Sequence, residues 1–209
     1  MNYLYLLIHP VKFFKQLLDR EKISLLIPII ILVIISIFSG LIAGNAVSTM
    51  NIGIAVDQMA TIKWITVGTG IFSGFIGLGI AVVVKAGILN FVLNKMGGAG
   101  KFKTAVYVIG LSYFPKIIQS ILNLIFQKPI DVSKAYAFDW VAFLGGVFSI
   151  FNIWQIIITI IGLSVVYGVA YKKTAIPVIG LEVLAAGLSL GTSLLATNSM
   201  SGISTTGVK

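Results

Sequence analysis

Three ionisable residues, Lys85, Lys116 and Glu182, stand inside long apolar stretches of the chain. At membrane depth such a residue costs about 2.5–3.5 kcal/mol on insertion scales, so it is expected to be paired or to face a cavity. Lys85 falls about ten residues, roughly 15 Å, from one end of its stretch, and Glu182 about seven residues, roughly 10 Å, from the same side. The two are therefore within reach of each other, the alternative for Lys85 being to snorkel its ammonium to the headgroups. Lys116 is followed at helical spacing by Gln119 and Asn123, which gives its helix one polar side. A later stretch offers Asn152, Gln155 and Thr159 at similar spacing. The two helices are predicted to face each other across a polar seam, either structural or a path for a substrate or ion.

Other patterns that could carry chemistry do not hold up in context. Gly187-Leu188-Ser189-Leu190-Gly191 matches a nucleophile elbow, but it lies inside an apolar helix and the one histidine, His9, is at the other end of the chain. Its glycines read instead as helix-packing residues. There is no cysteine, which excludes thiolate metal sites, cysteine nucleophiles and disulfides. No HExxH site, phosphate loop or dinucleotide fingerprint is present. The expectation is a non-enzymatic protein with no catalytic residue, metal or cofactor.

The elements that must position these residues follow from composition. Of 209 residues 58% are hydrophobic and 10% charged, and the mean hydropathy is +1.06. That leaves too little polar surface to cover a soluble globule, so lipid is the solvent for most of the chain. The charge of +9 is spread over helix ends rather than gathered on one face, which speaks for membrane topology and against nucleic acid.

Five apolar runs are long enough to span a bilayer. The first, 24–47, carries Pro28 near its start and small residues at Ser36, Gly40, Gly44 and Ser48, a face open to close helix approach. A polar link from Asn45 to Lys63 precedes the second run, 64–94. That run is crowded with Gly68, Gly70, Gly74, Gly77 and Gly79, so it should tilt or break. The stripe Thr69, Ser73, Gly77 and Ala81 leads to Lys85. A link from Lys95 to Lys103 opens a third run, interrupted by Pro115 and ending near Phe126. A mixed loop, 127–140, leads to the fourth run, 141–171. Lys172 and Lys173 form a short turn into the fifth, 175–197, where Gly187 and Gly191 make another packing pair. The fold class is therefore all-α: a polytopic membrane bundle of five transmembrane helices.

Residues 1–23 form a separate segment. His9, Pro10 and the following lysines argue against a cleaved signal peptide. Pro10 suits a first helical turn, after which Val11, Phe14, Leu17 and Leu18 share one face, so this amphipathic helix should lie in the headgroup layer. Residues 198–209, rich in serine, threonine and glycine, read as a flexible external tail. Lys12, Lys15, Arg20, Lys22, Lys95, Lys101, Lys103, Lys172 and Lys173 fall on one side of the membrane, against Lys63, Lys128, Lys134 and Lys209 on the other. The positive-inside rule then puts the amino terminus in the cytoplasm and the carboxyl terminus outside.

The stretch from Lys95 to Lys116, KMGGAGKFKTAVYVIGLSYFPK, with its Gly97-Gly98 link and Pro115, resembles the Yip domain family, the Ypt/Rab-interacting membrane proteins and their prokaryotic relatives. His9-Pro10 followed by Phe13 and Phe14, Trp154 with Ile161-Gly162-Leu163, and Lys172-Lys173-Thr174-Ala175 are similar to other parts of that family, so the resemblance covers nearly the whole chain. It implies five spans with a cytoplasmic amino end. Eukaryotic members bind small GTPases through a substantial cytosolic region. Only about two dozen residues precede the first span here, so Rab binding is not carried over and a prokaryotic cell membrane is the expected location.

The abundance of small-residue faces and the lack of reaction chemistry point to a protein that acts by association. The expected role is a scaffold or accessory subunit of another membrane complex, with an ABC-type exporter as one candidate partner alongside membrane lipids. The alternative is a transporter or channel for a small solute, ion or lipid, for which the intramembrane polar groups speak.

Overall fold

The computed structural model describes residues 4–18, 23–48, 56–127 and 138–204. Among these the chain is all-helical: α1 (Leu4–Ile8), α2 (Pro10–Leu18), α3 (Leu26–Ser48), α4 (Val56–Lys95), α5 (Phe102–Ser112), α6 (Phe114–Ile125), α7 (Trp140–Val147), α8 (Ile150–Tyr167) and α9 (Tyr171–Ser204). Five stretches are long and apolar enough to cross a bilayer: Leu26–Ser48, Gln58–Lys95, Phe102–Ile125, Trp140–Tyr167 and Tyr171–Leu195. The protein is an integral membrane protein with five candidate spans, α5–α6 and α7–α8 each forming one interrupted span.

α3 and α4 make the closest helix pair, along the predicted small-residue face. A Cβ on Gly40 would sit 2.6 Å from the Val67 carbonyl oxygen and 2.6 Å from Ile71 Cγ1, and one on Gly70 would sit 3.0 Å from Gly40 Cα. A Cβ on Gly44 would overlap the Val67 side chain, whereas one on Gly74 would meet Ser36 at an ordinary 3.7 Å. Ser36 is buried, and its hydroxyl donates to the Leu32 carbonyl at 2.8 Å, so it brings no unpaired polar group to the contact. In lipid, close packing of this kind replaces the hydrophobic effect as the force between helices.

Several expectations need correction. The glycines of α4 do not break it: the helix runs unbroken for 40 residues, about 60 Å, twice a hydrocarbon core of about 30 Å. In lipid every backbone group must be satisfied within the helix, which outweighs the weak propensity of glycine. Gly68, Gly77 and Gly79 meet nothing within 4 Å, so the stripe through Gly77 is not a packing face within this chain. Nor are Gly187 and Gly191, which are equally open. The link expected from Asn45 to Lys63 is helical up to Ser48 and again from Val56; residues 49–55 lie outside the described residues.

The third span breaks at Tyr113, as Pro115 predicts, with Pro115 in the first turn of α6 where its missing N–H costs least. The fourth span also breaks, which was not expected. Gly145 and Gly146 weaken the end of α7, and Ser149 caps α8 by accepting from the Asn152 amide at 3.2 Å. α8 stops at Gly168, which adopts a left-handed conformation with φ 67°. The turn into α9 is therefore at Gly168 to Ala170, and Lys172 and Lys173 belong to the first turn of α9. α9 continues to Ser204, so its helix extends into the segment read as a tail; residues 205–209 lie outside the described residues.

The amino-terminal helix is the largest departure. Phe13, Phe14 and Leu17 of α2 are 0–1% exposed and belong to the same core as Leu163, with Phe14 against Gly162 of α8. Leu18, expected on the apolar face, is exposed. α2 thus buries its apolar face in the bundle rather than in the headgroup layer. The amphipathic pattern states which face is apolar but not whether lipid or protein covers it.

Candidate functional site

The intramembrane charges sit where α4, α6 and α9 converge. The Lys85 ammonium forms a salt bridge with the Glu182 carboxylate, joining α4 to α9. Lys85 lies ten residues from the end of α4 and Glu182 eleven residues from the start of α9, each roughly 15–17 Å into its helix, so the pair is at matched depth. Lys85 does not snorkel: its side chain is 9% exposed. A buried ion pair adds little net stability but is costly to break from one side, so its structural effect is to fix the rotation and height of α9.

Lys116 lines a cleft of about 760 Å³ that also reaches Asn152 and Glu182 and is walled by apolar residues such as Phe143, Leu144 and Ile153. Lys116 and Asn152 share this cleft, as the antiparallel register of the α6–α8 hairpin requires. The Lys116 ammonium makes no hydrogen bond or ion pair among the described residues, and the charges that act on it are Glu182 and Lys85. Glu182 thus pairs with Lys85 and also lines the cleft that holds Lys116.

The rest of the predicted seam is looser than expected. Gln119 Nε2 donates to Ser149 Oγ at 3.4 Å, joining α6 to the cap of α8. Asn152 instead donates to the Val147 carbonyl at 2.7 Å, tying down the α7–α8 break. Gln155 is buried against the Tyr113 hydroxyl, with its Oε1 unsatisfied, and Thr159 donates back to the Gln155 carbonyl at 2.8 Å. Asn123 is exposed and is not part of a seam. Its spacing of seven from Lys116 would keep it on that face of an ideal helix, but nothing from α8 meets it.

A second polar cluster, not singled out in the sequence, surrounds the Gly97-Gly98 link. Tyr167 at the end of α8 donates its hydroxyl to Asn90 Oδ1 at 2.7 Å, and Asn94 Nδ2 donates to Asn90 Oδ1 and to the Gly100 carbonyl, each at 3.3 Å. The Tyr167 carbonyl accepts from the Ala99 amide at 3.2 Å. The ring lies flat on the link: a Cβ on Gly98 would sit 3.0 Å and one on Gly100 2.5 Å from it, and Gly97 has φ 91°. The glycine-rich motif is thus a seat for Tyr167. Asn90 and Asn94, one helical turn apart just before the glycines, were the available signal.

Fold and site define a polytopic α-helical membrane protein with a charge-paired, loosely held last span and a glycine-seated link between its second and third spans. The chain belongs to the Yip1 domain family, whose model matches residues 4–193. It is also 31% identical over 124 residues to an uncharacterised protein of Methanocaldococcus jannaschii, a match that covers 59% of this chain and 86% of the archaeal one. No solved structure matches it.

Proposed function

We propose that the protein is a non-enzymatic scaffold or accessory subunit that holds another membrane protein along the outward face of α9. One observation carries this reading: Gly180 and Gly191 are exposed and meet nothing within 4 Å. At about 100° per residue they lie roughly 160–180° round the helix from Glu182, so the ion pair that faces α4 turns them outward. Only 6% of the most apolar part of this span is buried, against 28–39% for the other four. Glycine forfeits contact with lipid and costs about 1 kcal/mol of helix propensity relative to alanine, whereas against a partner helix it allows close backbone approach. Replacing Gly180 and Gly191 together by leucine should abolish co-purification of the partner in mild detergent while leaving the protein's own melting temperature unchanged. Retention of the same complex by this variant would sink the proposal.

A second reading, passage of a small solute, ion or lipid, has the cleft beside Lys116 in its favour. On that reading Lys116→Gln alters flux or selectivity in proteoliposomes at unchanged stability. On the scaffold reading flux is absent from both proteins, and the neutral donor is tolerated.

The same proposal sets the lysine-rich end in the cytoplasm. Since the native chain has no cysteine, single cysteines at Lys101 and Lys172 should react only with reagent on the cytoplasmic side, and those at Gln58 and Lys134 only from outside. External labelling at Lys101 would reverse the orientation.

A further inference from the structure

At the lysine-rich end, α2, the link before α5 and the end of α8 enclose a cavity of about 610 Å³, lined by Lys101, Lys103 and Thr104 on one side and by Leu18, Ile23 and Val166 on the other. We propose that it binds the phosphate of an anionic phospholipid, with the start of an acyl chain along the apolar wall.

Four observations converge on it. α5 is eleven residues long and opens into the cavity without a side-chain cap. The amides of Thr104 and Ala105 are taken by the Lys101 carbonyl, at 2.9 and 3.1 Å, but among the described residues those of Phe102 and Lys103 have no acceptor. Free amides and the helix dipole together favour an anion. Independently of the helix end, Thr104 is 8% exposed and lines the cavity, and among the described residues its hydroxyl has no protein partner. That hydroxyl is free to donate to an anion oxygen in the cavity. Lys101 and Lys103 supply two positive charges, and no carboxylate is among the described lining residues. Finally, Phe102 is the first residue of its span, so the cavity lies at the depth where lipid phosphates sit. The apolar wall and this depth favour a phospholipid over a soluble phosphate.

The test uses the full chain purified in neutral detergent, with melting temperature and native mass spectrometry followed during titration with phosphatidylglycerol, phosphatidylcholine or inorganic phosphate. Phosphatidylglycerol should raise the melting temperature and remain bound, and phosphatidylcholine and inorganic phosphate should do neither at equal concentration. Lys101→Gln with Lys103→Gln should weaken phosphatidylglycerol about tenfold or more, while Lys172→Gln with Lys173→Gln, the same charge change at the same end, should leave it unchanged. Thr104→Val should weaken it about threefold, and Thr104→Ser should restore it, which separates loss of the hydroxyl from a packing defect. Equal effects of phosphatidylcholine, or equal loss in the two lysine pairs, would overturn the site. Stabilisation by inorganic phosphate alone would show a soluble-anion site and overturn the phospholipid assignment.

Discussion

Glu182→Gln should destabilise the protein by about 3 kcal/mol in a detergent unfolding titration, yet have little further effect once Lys85→Met is present. The single variant leaves a buried ammonium with no counter-charge. Lys85 lies roughly 15 Å from the end of α4, too deep for its four-carbon stem to carry the charge to the headgroups. In the double variant neither charge remains, and the apolar side chain suits its surroundings. The coupling should be large because Glu182 is the one carboxylate paired with Lys85 among the described residues, and because α9 has little other burial to hold it. Strict additivity of the two substitutions would mean that the pair does not couple in the membrane.

Gly40→Leu should prevent accumulation of folded protein, and Gly40→Ala alone should cost about 1–3 kcal/mol as an overpacked contact. The reason is that the added Cβ meets backbone, the Val67 carbonyl oxygen at 2.6 Å, which no rotamer change can relieve. Gly74→Ala should be nearly neutral, since its Cβ would rest 3.7 Å from Ser36, and Leu41→Ala should be milder than Gly40→Ala. The α3–α4 contact thus divides into a tight end at Gly40 and Gly44 and a looser one where Gly74 meets Ser36. Melting temperatures of the three alanine variants in one detergent measure the order, and the yield of folded protein tests Gly40→Leu. Equal stability of Gly40→Ala and Gly74→Ala would contradict the α3–α4 packing.

What could be read from the residues is mostly what the bilayer enforces. Span number and order follow from apolar length, the Lys85–Glu182 contact from the cost of a lone charge, and the α3–α4 contact from small residues at every fourth position. What could not be read depends on which surface meets which. The residues of α2 are amphipathic whether they lie on lipid or on α8, and the choice is made by Gly162, which leaves room for the Phe14 ring. Gly187 and Gly191 look like Gly40 and Gly44 in sequence, but only the second pair has a helix against it. The break between α7 and α8 required weighing Gly145, Gly146 and the Ser149 cap together against the preference of a lipid-embedded backbone for unbroken helix. Tyr167 was hidden because its seat is made by residues some seventy positions away.

The central claim is that the outward face of α9 is covered by another protein. A single cysteine at Gly180 or Gly191, modified with a photo-crosslinker in native membranes, should yield one discrete heavier species on irradiation. The same probe at Phe72, an exposed residue of α4 that is 70% accessible, should yield only lipid adducts. Lipid adducts alone at all three positions would contradict the account, as would a crosslinked species consisting of two copies of this chain.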